Sequence, residues 1–178
     1  MKKIILILAL LLGWSTVTLQ AQNVDKQVAH IRSMYNQVKK EIAALKPNDP
    51  NNAYYLLRCE NNGWAKPFPA VGVYHITTDF YYRFDEETLD RQLIMVIQTA
   101  EQAANKRYTE ILYERNKCIF YYENDPYESN PEKRLYMDPR GNTIRYTEGT
   151  EKIGPNDESA ETLFKDKALD FQEYFYLL

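Results

Sequence analysis

The chain is poor in the residues that most often betray an active centre: it has two cysteines, two histidines and six glycines in 178 residues. His30 and His75 stand far apart in sequence from each other, and Cys59 and Cys118 are isolated, so no group of His, Cys, Asp or Glu falls at metal-ligand spacing. No metal or other cofactor is therefore implied. Basic charge is also scarce. Residues 1–21 hold two of the 22 basic residues and none of the 25 acidic ones, which leaves 20 basic against 25 acidic residues, a net charge of -5, on the remainder. A surface of that sign gives no electrostatic reason to expect nucleic acid or anionic lipid as a partner.

Long apolar runs are missing too. The one uninterrupted run, Ile4 to Leu12, is far short of the roughly 20 residues that a bilayer-spanning helix needs. Preceded by Lys2 and Lys3 and followed by a polar stretch ending in "LQAQ", it reads as a secretory signal peptide cut after Ala21. The expected location is secreted or periplasmic. No cysteine lies near the cut, which argues against a lipid anchor, and no membrane span would remain after cleavage. Residues 22–178 are long enough for one domain with its own core, and too short for two comfortable ones.

Aromatic residues, by contrast, are abundant: 15 tyrosines and seven phenylalanines. They favour half-buried pleated surfaces, so they point first to sheet and second to ligand stacking. Between Val24 and Leu45 apolar residues recur at alternating steps of four and three, which predicts one helix with a single apolar stripe, ended by Pro47 and Pro50. The stripe fits a coiled-coil seam as well as a helix laid on a sheet; the sheet is the simpler partner. Strands are expected over 53–60 and 73–84. The segment 93–99 has both a helical stripe and strand-favouring composition, and is read as a strand followed by a bulge or bend over 100–105. From Tyr108 onward come two strand-turn-strand units, with Leu112, Tyr113, Asn116, Ile119 and Tyr121 answered by Leu135, Tyr136, Asn142, Ile144 and Tyr146. A closing helix follows, capped by Asn156 or Asp157. The fold class is α+β: an N-terminal helix on an antiparallel sheet of about five to six strands built from hairpins, with a C-terminal helix.

The most motif-like stretch, "LYMDPRGNTIRY" (residues 135–146), is a turn. Asp138 can accept backbone hydrogen bonds, Pro139 fixes one torsion, and Gly141 permits a left-handed backbone. Its glycine is alone and no Lys-Ser or Lys-Thr pair follows, so it is not a phosphate loop.

Candidate chemistry is sparse. Cys59 or Cys118 with His75 would suffice for a Cys-His nucleophile, but in an exported chain two cysteines are more simply paired with each other or buried. A Cys59–Cys118 disulfide is thus a candidate. Asp85, Glu86 and Glu87 read as a solvated turn rather than a glycosidase pair, and "ENDPYESNPE" as a loop without a calcium pattern. On the strand 73–84, Tyr74, Ile76, Thr78, Phe80, Tyr82 and Phe84 share the face expected to pack on a helix. His75, Asp79, Tyr81 and Arg83 project from the other face, which is expected to meet water. Those four groups, with Trp64 and Phe68 in the preceding loop, form a candidate surface for a protein or glycan. A solvated face with cross-strand charge pairs is the plainer alternative, and Trp64 and Phe68 fit a lid on the core equally well.

The signal segment ending in "LQAQ", the helix "VDKQVAHIRSMYNQVKKEI", the tyrosine-rich hairpins and the turn "YMDPRGNTIRY" together resemble a group of secreted, uncharacterised proteins from Bacteroidota-type bacteria. The resemblance implies a helix packed on an antiparallel sheet and strands over 93–114. It implies no activity and no catalytic residues. The expectation is an exported, non-catalytic binding protein of the bacterial envelope, with a protein or glycan as ligand. An envelope hydrolase built from scattered carboxylates, or a structural or assembly role, is the alternative.

Overall fold

A computed structural model describes residues 2–62, 65–67, 69, 72–129, 131–153 and 158–178, with side chains described for all of these except 2–22, 152–153 and 158–159. The signal segment, the loop residues Trp64 and Phe68, and the helix caps Asn156 and Asp157 lie outside the residues so described.

Helix α1 (Lys2–Ala43) leads into eight strands and helix α2 (Glu158–Leu177). The strands are β1 (Tyr55–Asn61), β2 (Tyr74–Phe84), β3 (Arg91–Gln102), β4 (Asn105–Glu114), β5 (Lys117–Asn124), β6 (Glu132–Met137), β7 (Thr143–Glu148) and β8 (Glu151–Ile153). They form one antiparallel sheet in sequence order, β1 to β8. The architecture is the expected α+β, but the sheet is larger than five to six strands: seven have six residues or more, and β8 adds a three-residue edge. The ambiguous segment is strand throughout. β3 runs on past Thr99 through Ala100 and Glu101 to Gln102, where the expectation was a bulge or bend, and a two-residue turn at Ala103 and Ala104 returns the chain into β4. Ala103 adopts a positive φ of 55° to close it. Among the described residues, no helix is long and apolar enough to cross a membrane.

The turn at 138–142 is built as its residues suggest. The Asp138 carboxylate accepts from the amides of Arg140 (2.8 Å) and Asn142 (2.9 Å), and Gly141 takes a φ of 86°.

Strand alternation sorts the side chains into rungs that cross the sheet. On one face, Leu57, Phe80, Val96, Ile111, Tyr121, Leu135 and Tyr146 are successive cross-strand partners. This rung is the floor of the core that α2 closes with Phe164, Ala168 and Phe175. On the opposite face, the rung Leu56, Tyr81, Met95, Leu112, Phe120 and Tyr136 meets Val28, Ile31 and Val38 of α1. The sheet therefore lies between two helices. The β2 face bearing His75, Asp79 and Tyr81, expected to meet water, is covered: these three are only 7%, 8% and 7% exposed. Tyr81 is buried because it packs in the core beneath α1, and Asp79 lies against the Arg58 guanidinium of β1, whereas Arg83 and Phe84 at the end of the strand stay exposed.

Cys59 and Cys118 are both free thiols. They sit on β1 and β5, four strand spacings apart, or about 19 Å at the usual separation. A disulfide needs α-carbons within about 7 Å, so the fold rules out the expected pair. Burial pushes the Cys118 thiol up to about 12, and Sγ lies 3.6 Å from the Phe120 carbonyl, to which the neutral thiol donates. Because the thiolate is the nucleophile, Cys118 is expected to react with maleimide at least roughly tenfold more slowly than Cys59 in the native protein. Rapid labelling of both thiols without denaturant would refute this burial.

Candidate ligand cleft

Beside each apolar rung lies a polar one, displaced by two residues along every strand. On the α2 face it runs Cys59, Thr78, Gln98, Thr109, Glu123 and Lys133. On the α1 face it runs Arg58, Asp79, Ile97, Glu110, Tyr122 and Arg134. Both polar rungs lie toward the same end of the strands, past the flank of the covering helix. Each forms the floor of a cleft.

The α2-side cleft has a volume of about 610 Å³. Thr78, Gln98, Thr109 and Glu123 form its floor, Phe171 and Tyr174 of α2 one wall, and Asn61 and Asn62 its rim beyond β1. Gln98 Nε2 donates to Thr78 Oγ1 at 2.9 Å. Glu123 is 4% exposed and accepts from Tyr121 Oη at 2.8 Å and from Lys167 Nζ at 3.0 Å. Burial, then the neighbouring Glu123 charge, pushes the Tyr121 hydroxyl far above its ordinary range, so it remains a neutral donor. Beside the floor, Arg107, another lining residue, donates from Nε to Asp125 at 3.0 Å. Against the opposing effect of burial, the Tyr127 amide and Arg107 hold the Asp125 carboxyl below the usual carboxylate range. The floor carboxylate Glu123 thus faces a cation, and the neutral groups beside it supply both donors and acceptors.

The α1-side cleft, about 570 Å³, is dominated by its internal bonds. Glu110, 2% exposed, accepts from the Tyr35 hydroxyl, from Tyr108 Oη at 2.5 Å and from Lys39 Nζ at 2.5 Å. Burial first, and the bond to Glu110 second, push both tyrosine hydroxyls well above their ordinary range. These contacts fasten α1 to β4. They use the carboxylate fully, so it reads as an anchor.

The residues singled out from sequence do not assemble into one site. Asp79 is gripped by Arg58 through two bonds of 2.6 and 2.7 Å, and this carboxylate holds the Arg58 guanidinium's proton more firmly than usual. Tyr81 belongs to the α1 core. His75 Nε2 lies 2.9 Å from Thr77 Oγ1 at the far end of β2, and Arg83 bonds Gln92 at 3.3 Å on the other side of the α1 crossing. Trp64 lies outside the described residues, although Asn61 and Asn62, which begin its loop, line the α2-side cleft. Missed in the sequence were Glu110 and Glu123. Each sits in a strand two residues from a tyrosine on the same face, Tyr108 and Tyr121, and that spacing was the available signal.

No protein-family model matches the chain, and neither the curated proteins nor the solved structures contain a significant match.

Proposed function

We propose that the protein is an exported, non-catalytic binding protein and that its ligand is a glycan held in the α2-side cleft. The observation that carries this reading is the pairing of a neutral hydrogen-bonding floor, Thr78, Gln98 and Thr109, with an aromatic wall, Phe171 and Tyr174. A sugar offers hydroxyls that both donate and accept, and apolar ring faces that stack on aromatic side chains; the cleft matches both. Its volume suits about one or two sugar rings, being within the range of ordinary ligand pockets. Glu123 and Asp125 are held by Lys167 and Arg107, an arrangement that favours fixed hydrogen bonding over proton transfer.

Calorimetric titration with a panel of short oligosaccharides tests it. Tyr174 is 47% exposed and its ring lies 6.0 Å from that of Phe80, so Tyr174→Ala is expected to cost about 1 kcal/mol of stability, leaving the protein folded, while weakening binding roughly tenfold. A panel without a single binder, or a Tyr174→Ala variant of unaltered affinity, would sink the proposal. Shortened products after incubation would overturn its non-catalytic part. Export follows from the charged and apolar N-terminus, and the mass of the exported protein is expected to correspond to a chain starting at Gln22. A mass that includes residues 1–21 would contradict it.

A further inference from the structure

The two edges of the sheet are unequal. β8 has three residues, whereas β1 offers a seven-residue edge whose only strand partner among the described residues is β2. β1 contains no proline or lysine and pairs with β2 in unbroken register, so neither a proline nor a bulge blunts the edge, and the charges it carries are of opposite sign, Arg58 and Glu60. Tyr55, Leu56, Arg58, Glu60 and Asn61 along it are exposed.

We propose that β1 pairs antiparallel with β1 of a second copy of this chain, about a two-fold axis through Cys59. Residues opposite one another across an antiparallel pair share a face, so a two-fold axis normal to the sheet must pass through a residue position. Centred on Arg58, it would oppose two arginines. Centred on Leu57, it would set each arginine against Leu56. Centred on Cys59, it sets Arg58 against Glu60 twice, Leu57 against Asn61 twice, and Cys59 against itself. This register is therefore self-complementary in charge, and such opposed pairs favour strand association. Arg58 is already fixed for the role: Asp79 holds its guanidinium by two bonds, while its side chain remains 53% exposed. The axis preserves the faces of the sheet, so α2 of both copies lies on one side. Cys59, Glu60 and Asn61 line the α2-side cleft, and the two clefts meet at the axis as one continuous trough.

The test is sedimentation equilibrium of the purified protein at about 10–100 μM, a range that reveals strand-edge dimers of modest affinity. The wild type is expected to dimerise under reducing conditions. Glu60→Arg places arginines against arginines, and is expected to weaken the dimer roughly tenfold with an unchanged melting temperature, since Glu60 is exposed. Register is read by oxidation with diamide, which accepts the two hydrogens as two thiols join. Wild type should give a covalent dimer and Cys59→Ser should not. In the Cys59→Ser background, a Leu57→Cys protein should couple with an Asn61→Cys protein when mixed, and neither with itself. A wild type that stays monomeric, a dimer indifferent to Glu60→Arg, or self-coupling at position 57 would each overturn the proposal.

Discussion

Replacing Glu110 with alanine is expected to cost about 3 kcal/mol of stability, the lower end of the range for breaking a buried ion pair. The carboxylate is almost fully enclosed and accepts from Tyr35, Lys39 and Tyr108 together. Its removal strands two partly buried hydroxyls and an ammonium group. Lys39 is one-third exposed and can turn to water, which is why the loss is put at the low end. For a chain of this size that corresponds to a fall of roughly 6–12 °C in Tm. Glu110→Gln retains the shape and can still accept a bond, so it should lose less. Tyr35→Phe, which removes one donor, should cost only about 1 kcal/mol. Urea unfolding of the three variants checks the order. A Glu110→Ala protein as stable as wild type would show that the Glu110 cluster does not hold α1 on the sheet.

Phe164→Ala should destabilise by about 3–5 kcal/mol, the usual cost of emptying a phenylalanine site in a packed core. The ring is 1% exposed, stacks on Tyr121 at 4.7 Å and meets Tyr146 at 6.0 Å. Ammonium groups of Lys133 and Lys167 lie 5.8 and 5.7 Å from its centre, so the site cannot simply collapse onto apolar neighbours. Phe164→Leu should recover more than half of the loss by refilling most of the volume. Hydrogen exchange adds a spatial readout. Amides of α2 should lose protection in Phe164→Ala while those of β4 and β5 keep theirs relative to global unfolding. Uniform loss across the molecule would mean that α2 and the sheet open only together.

Legibility from the sequence followed the distance over which each decision is made. The hairpin at 138–142 depends on Asp138 and Gly141 alone, and both act as the local chemistry requires. The stripe from Val28 through Ile31 to Val38 also marks its buried face correctly, because helical periodicity is local. The burial of His75, Asp79 and Tyr81 was not legible. Alternation along β2 shows that two faces exist, but Tyr81 is covered by a helix more than 30 residues away and Asp79 by Arg58 of the neighbouring strand, and neither neighbour can be read from β2 itself. β3 was misjudged at its end for a similar reason: "AEQ" (100–102) has weak strand propensity, and ladders with β2 and β4 on both sides hold it extended. The cleft floor needs four strands in register, and Thr78, Gln98, Thr109 and Glu123 have nothing in common until those ladders form.

The strict order β1 to β8 also carries a consequence for the sequence of folding events. Each strand finds its partner in the next segment of chain, so the sheet can grow by short loop closures, each entropically cheap and rapid. Helix α1 is different. Its polar contacts reach across 71 residues to Glu110, 104 to Tyr136 and 120 to Arg145. Helix α1 is synthesised before the strands it packs on and is therefore among the last of these elements to find its place, since the rung from Tyr81 to Tyr136 that covers its apolar stripe is complete only when β2 to β6 have formed. During that interval the chain presents Val28, Ile31 and Val38 to its surroundings, which makes α1 the segment a chaperone would hold.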